Sequence, residues 1–171
     1  MNIVYIDAQN VHRSTQDLGW KVDWSKLNIY FQKKLWLTKL KIFFWYVPKY
    51  EYLYSELRSF GYEVIFKETL ILPNGEIKGN VDIDIAISVL LDLFESWLDR
   101  AYLVTWDGDY NTLVDLLRIR KKFGRVYVPH PKKASKLLKK SAGPHVQNLE
   151  ELRYLIEKRA PLSWDSGRSE G

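Results

Sequence analysis

The sequence predicts an α/β fold: a doubly wound, three-layer sandwich around a mostly parallel five-stranded sheet in the order 3-2-1-4-5. Two observations carry this. Short β-rich apolar runs alternate along the chain with longer stretches at helical spacing, which is the pattern of βαβ units. The runs are nearly continuous in apolar residues, as strands covered on both faces must be.

The elements follow in order. Residues 2–6 form the first strand. Residues 24–37 read as an amphipathic helix, with Leu27, Tyr30, Phe31, Lys34 and Leu35 at helical spacing. Residues 41–47 form a second strand, stopped by Pro48. A helix over 51–60 ends at Gly61, and a third strand covers 62–66. Pro73-Asn74-Gly75 marks a turn, the tip of a small hairpin. A long helix spans 81–98, a fourth strand 102–106, and a helix 110–122 is closed by Gly124. A fifth strand over 125–128 meets Pro129, and helices follow at 132–141 and 149–159. Residues 1–160 are expected to form one domain, and 161–171 a disordered polar tail.

Composition narrows the chemistry. With 171 residues and 46% hydrophobic content, the chain has enough apolar mass for a sizeable core. It has no cysteine, which removes disulfides, thiolate zinc sites and cysteine nucleophiles, and fits a cytoplasmic location. No signal-peptide pattern is visible. The longest apolar stretch, 83–98, contains Asp84, Asp92 and Glu95, so it reads as a buried helix rather than a membrane span. The net charge of +5 alone decides little, since many basic surfaces have no polyanionic partner.

Ligands of doubly wound sheets bind beyond the carboxyl ends of the strands, where the winding reverses. In the order 3-2-1-4-5 those positions fall to Asp7 and to Asp107-Gly108-Asp109. Taken alone, each has an ordinary explanation: Asp7 as a helix cap, Asp107-Gly108 as a turn, Asp109 as the cap of the helix beginning near Tyr110. Asp82 is more informative. Its neighbours on one helical face are Ile85, Ala86, Val89, Leu90 and Leu93, so it stands at the top of a core-facing stripe. Asp84 shares a mostly solvent face with Ser88, Leu91, Asp92 and Glu95. An inward carboxylate needs a partner or a cation. The plain alternative is an ion pair with Lys78 or an arginine. Carboxylates meeting at one sheet end repel one another, and hard divalent cations such as Mg²⁺ or Mn²⁺ relieve that. Such ions suit phosphodiester hydrolysis.

At these residues the chain resembles the NYN family, a branch of the PIN-like nuclease superfamily. Ile6-Asp7-Ala8-Gln9-Asn10 is similar to the family's IDxxN opening, Lys78-Gly79-Asn80-Val81-Asp82 to its KGxVD helix start, and Thr105-Trp106-Asp107-Gly108-Asp109-Tyr110 to its SGDGDF turn. The resemblance implies a Rossmann-like, PIN-type sandwich, an acidic metal centre and ribonuclease activity. It assigns catalysis and metal binding to Asp7, Asp82, Asp107 and Asp109, with Asn10 in support, orienting a water, a phosphate or Asp7. Trp106 stands where the family has glycine, Tyr110 where it has phenylalanine, and Ser88 where an acidic residue is common.

A nucleic-acid substrate calls for cations around the acids. Lys132, Lys133 and Lys136, with Lys139 and Lys140, recur at helical spacing as one basic face expected to meet backbone phosphates; Arg13 and Lys78 lie close to the acids in sequence. A second cluster is Arg118, Arg120, Lys121, Lys122 and Arg125. For each cluster a solvated surface is the ordinary alternative. Trp106 and Tyr110 are placed to stack a base or to pack in the core. Trp36, Trp45 and Trp97 leave room for a homodimer face. The expected function is a Mg²⁺- or Mn²⁺-dependent endoribonuclease acting on RNA. A non-catalytic RNA-binding or scaffold protein on the same fold and a DNA structure-specific nuclease are the alternatives. A phosphatase of the haloacid dehalogenase type is disfavoured, because Asp7-Ala8-Gln9 lacks a second aspartate two residues on.

Overall fold

The first strand, β1 (Asn2–Asp7), lies at the centre of the sheet in the computed structural model, which describes residues 1–67, 70–71, 77–78, 81–95 and 97–159. Ile3, Val4, Tyr5 and Ile6 are all buried, so the strand is covered on both faces. It pairs in parallel with β2 (Thr38–Trp45) on one side and with a later strand, Arg100–Val104, on the other. β3 (Tyr62–Lys67) continues the sheet beyond β2. Two-residue strands β4 (Leu70–Ile71) and β5 (Ile77–Lys78) form a separate antiparallel pair around the expected turn, which itself lies outside the described residues. The later strand is therefore β6; it pairs in parallel with β7 (Phe123–Val128), which pairs in parallel with β8 (Val146–Asn148). The order is β3-β2-β1-β6-β7-β8. That is the predicted 3-2-1-4-5 with a sixth strand at the edge. β8 is too short to show a period in sequence, and it lies just before a stretch read as helix.

Side chains alternate across the sheet and build two cores. Ile3 and Tyr5 face α4 (Asp82–Phe94), α5 (Asn111–Ile119) and α6 (Lys136–Ala142). Val4 and Ile6 face α1 (Ala8–Asp17), α2 (Trp24–Lys34), α3 (Glu51–Ser59) and α7 (Arg153–Ile156). Helices on both faces thus complete the three layers. Among the described residues no helix is long and apolar enough to cross a membrane.

Several expected boundaries move for local reasons. α2 stops at Lys34, because Leu35 is extended and Leu37 takes a positive φ of 49° to turn into β2. α5 is closed by Lys121, with φ 57°, and not by Gly124. Gly124 lies within β7, where an added Cβ would come 2.5 Å from the ring of Tyr102. α6 begins at Lys136, capped by Ser135, so Lys132 and Lys133 belong to the preceding loop rather than to one basic helical face. The expected helix over 149–159 is a 3-10 turn, Leu149–Leu152, followed by the single turn of α7. α1, directly after Asp7, was not anticipated. The expected tail at 161–171 lies outside the described residues.

α4 departs from the expected faces. It ends at Phe94, and it is not buried all round: Ile83, Ile87 and Leu91 are exposed. Asp92 instead turns inward and is only partly exposed. Its Oδ2 lies 2.6 Å from Lys41 Nζ on β2 and accepts a 2.7 Å hydrogen bond from Tyr5, while Lys41 also donates to Ser88. Asp84 is half-exposed and pairs with Lys67 at 2.8 Å. Trp36 and Trp97 are exposed, whereas Trp45 is partly buried against the core.

Candidate metal centre

Parallel pairing of β1 with β6 brings the corner that follows each strand to one end of the sheet. Asp7 closes β1 and caps α1: its Oδ1 accepts from the backbone N–H of Asn10 at 2.9 Å. Its Oδ2 accepts from Asn10 Nδ2 at 2.6 Å. Asn10 then crosses to the other corner. Its Oδ1 accepts from the backbone N–H of Trp106 at 3.0 Å and from the Thr105 hydroxyl at 3.3 Å. The Thr105 oxygen in turn accepts from the N–H of Asp107 at 3.1 Å. These bonds tie the exits of β1 and β6 together through buried polar side chains.

After β6 the chain makes a 3-10 turn, Gly108–Tyr110, capped by Asp107, whose Oδ1 accepts from the Asp109 N–H at 3.0 Å. Asp107 is thus the cap of this turn, and the alternative of Asp109 as a helix cap does not occur. α5 starts after Tyr110 with no side-chain cap, which leaves the Asp109 carboxylate exposed. Gly108 is required by close approach, since a Cβ there would lie 2.5 Å from the Ser135 hydroxyl. Asp82, the first residue of α4, accepts a 2.8 Å hydrogen bond from the Tyr110 hydroxyl on its Oδ1. Burial, with Asp82 close by, holds the Tyr110 hydroxyl well above the usual tyrosine range, so it stays protonated and donates.

Carboxylate oxygens of Asp82, Asp107 and Asp109 lie within 4.8 Å of one another. Asp7 sits behind this trio and is buried. Its carboxyl is pushed up to about 6, chiefly by burial and further by the charges of Asp82 and Asp107, against the lowering effect of the backbone hydrogen bonds. So three of the four expected acids converge, and the fourth adds its charge from below. Asn10 holds Asp7, one of its expected roles.

The expected cations divide. Lys133 pairs with Asp17 of α1 and lies 5.0 Å from the centroid of the Trp106 ring, at the exit of β6. Arg13 is exposed on α1, Lys132 in the loop before α6, and Lys136 on the first turn of α6. The backbone of Lys78 ends β5; its side chain lies outside the described residues. Part of the second basic cluster has structural partners instead. Arg118 donates to the Ser141 carbonyl, Lys122 to the Leu98 carbonyl and Arg125 to Gln147. His130 is buried in a turn, where its Nδ1 accepts from the Lys132 N–H. Ser88 points at Lys41 and takes no part in the trio.

Next to the acids lies a cavity of about 250 Å³. Ala8, Gln9 and Val81 line it on the side of the acids; Trp24, Trp45 and Tyr50 are among its aromatic walls. Thr105 and this cavity were missed in the sequence. A hydroxyl ending the Leu103-Val104-Thr105 run was the available signal for the first.

The NYN domain profile matches residues 2–160, and the chain belongs to the NYN family. Members of this family are generally nucleases that act on nucleic acid and use divalent metals, and the chain has the corresponding PIN-like fold. No curated protein matches it. Among solved structures, it is similar to a protein of unknown function from Vibrio parahaemolyticus RIMD 2210633, with a TM-score of 0.71 and 22% identity over 86% of this chain and 91% of that one. That likeness is one of fold.

Proposed function

We propose that this chain is a metal-dependent endoribonuclease that hydrolyses RNA phosphodiester bonds at Asp82, Asp107 and Asp109, with Asp7 beneath them. The observation that carries this reading is the approach of three carboxylates to within 4.8 Å, at the reversal point of a PIN-like sheet. Unscreened, such a group is strongly self-repelling. Its all-oxygen donor set fits a hard divalent cation, Mg²⁺ or Mn²⁺. When bound, that ion supplies positive charge at the phosphate and lowers the pKa of water.

The chain's own residues do the rest. Asp82 presents its oxygens from the start of α4, and Asp107 and Asp109 present theirs from the single turn after β6. The Tyr110 hydroxyl fixes the rotamer of Asp82. Asn10 fixes Asp7, and through Thr105 and Trp106 it sets the distance between the two strand exits. Lys133, Arg13, Lys132, Lys136 and Lys78 are the proposed phosphate contacts around the acids.

The test is cleavage of labelled RNA and matched DNA strands with Mg²⁺, with Mn²⁺ and with chelator. Metal-dependent cleavage of RNA, lost in both Asp107→Asn and Asp82→Asn, is expected. Cleavage that survives both substitutions rejects this site. Calorimetry that detects no divalent-ion binding while RNA still binds favours a non-catalytic RNA-binding protein. Preference for the DNA strand favours a DNA nuclease.

A further inference from the structure

We propose that the cavity beside the acids is a nucleobase pocket, which takes one unstacked base of a single-stranded nucleic acid. The proposal rests on the nuclease reading only in taking nucleic acid as the ligand.

Four observations carry it. The first is size: at about 250 Å³ the cavity falls below the roughly 300–1,000 Å³ of sites for drug-sized ligands, and suits a single ring system. The second is its walls. Trp24 at the start of α2, Phe44 and Trp45 at the end of β2, and Tyr50 and Tyr54 around the start of α3 enclose it with aromatic surface. Every base has a π-face, so such walls accept any base. The third is its polar complement. Gln9 and the exposed His12 bring hydrogen-bonding groups to the lining, and a base edge carries both donors and acceptors. The fourth is continuity. Ala8 and Gln9 directly follow Asp7, and Val81 directly precedes Asp82, so the cavity opens beside the acids that would meet the phosphate. Lys49 Nζ lies 4.9 Å from the Tyr50 ring centroid and puts a cation at the rim for a neighbouring phosphate.

A base inside a duplex is stacked and paired, and reaches such a pocket only when extruded. The pocket therefore selects single strands, loops and ends over paired helices.

The experiment is a binding scan by fluorescence anisotropy, with chelator present so that nothing is cut. The probes are short fluorescein-labelled oligouridylates in which one abasic residue is moved stepwise along the strand, with matched DNA strands to separate the two sources of a base. One abasic position is expected to weaken binding roughly tenfold. Tyr50→Leu is expected to weaken the intact strand similarly while adding little on the strand abasic at that position. Tyr50 is 46% exposed, so its replacement spares the fold. Trp24→Leu, checked for folding by thermal melting, is the second variant.

A flat abasic scan, failure of the intact strand to bind, or equal weakening of intact and abasic strands by Tyr50→Leu overturns the pocket. Cleavage is read separately. A flat scan beside metal-dependent cleavage that Asp107→Asn abolishes removes the pocket and leaves the nuclease. The expected scan beside cleavage indifferent to Asp107→Asn does the reverse.

Discussion

The charge on Asp7 is predicted to cost stability, and the cost has a pH signature. Burial raises its carboxyl from 3.8 to about 6, so the folded chain binds this proton more tightly than the unfolded chain does. The stabilisation is fully present below the unfolded pKa and is lost as pH rises through the folded one. At about 1.4 kcal/mol per tenfold, the whole effect is about 3 kcal/mol. Most of the acid limb lies below the range in which proteins are comfortable, so the useful window runs from about pH 8 down to about pH 5. Within it Asp7 should return about 1.4 kcal/mol. Asp7→Asn removes the titration. The amide also turns an N–H toward Asn10 Nδ2, where Asp7 now accepts at 2.6 Å. The absolute stability of the variant is therefore a poor guide, and the difference in pH dependence is the quantity to measure. Urea unfolding of both proteins at both pH values, in chelator, gives it. The wild type should gain about 1.4 kcal/mol more than Asp7→Asn on acidification. Equal gains would mean that Asp7 does not bind its proton more tightly in the folded chain. With Mn²⁺ added at about pH 8, the wild type should be stabilised more than the variant, because a cation offsets the charge that burial penalises.

Other substitutions test separate parts of the structure. Lys41→Met leaves the mostly buried Asp92 charge with Tyr5 alone among the described residues, and should cost about 3 kcal/mol, or about 6–12 °C in thermal midpoint; pairing it with Asp92→Leu should restore most of that. Tyr110→Phe removes the 2.8 Å hydrogen bond to Asp82 and should lower stability by about 1 kcal/mol in urea unfolding, while metal-dependent cleavage persists, unlike in Asp82→Asn. Gly124→Ala drives a Cβ into the Tyr102 ring and should cost about 1–3 kcal/mol by thermal melting, although glycine-to-alanine changes in strands ordinarily do no such harm.

The strands were legible because short β-rich runs such as Val4-Tyr5-Ile6 and Leu103-Val104, both buried, alternate with stretches at helical spacing, and the expected order is the one a doubly wound sheet adopts. Asp82 was legible because a helix has a fixed period, and the period placed one acid on an apolar face. The same reasoning misread Asp92. A helical wheel says which residues share a face, but not that Lys41 on β2 reaches Asp92 under that helix. The choice between capping and metal binding stayed open for a related reason. Asp107 and Asp109 both had suitable residues after them. Only the actual 3-10 turn decides that Asp107 takes the Asp109 N–H and that the Asp109 carboxylate is left to complete the trio. β8 carried no period at all, since it is three residues long.

What sequence reasoning left as two separate motifs, the structure joins at Asn10. The position needs a side chain that donates on one side and accepts on the other. Nδ2 faces the Asp7 carboxylate, and Oδ1 takes the Trp106 N–H and the Thr105 hydroxyl. Aspartate has no donor to offer and would set a second carboxylate 2.6 Å from the first, in a buried place. Leucine of similar size would leave Asp7 Oδ2 and the Trp106 N–H unsatisfied together. Only an amide answers both corners, so an asparagine three residues after the strand-ending aspartate is a requirement of the junction rather than an ordinary turn residue. The spacing follows from the same geometry. The backbone N–H that Asp7 caps belongs to this very residue, so the cap and the bridge meet at Asn10 within one turn of α1. The departures at Trp106 and Tyr110 then leave the junction's hydrogen bonds in place. Trp106 contributes its backbone N–H whatever its side chain, and Tyr110 adds a hydroxyl to Asp82 without disturbing Asp7. The acids are thus held by a polar junction that the two unusual aromatic residues extend and do not replace.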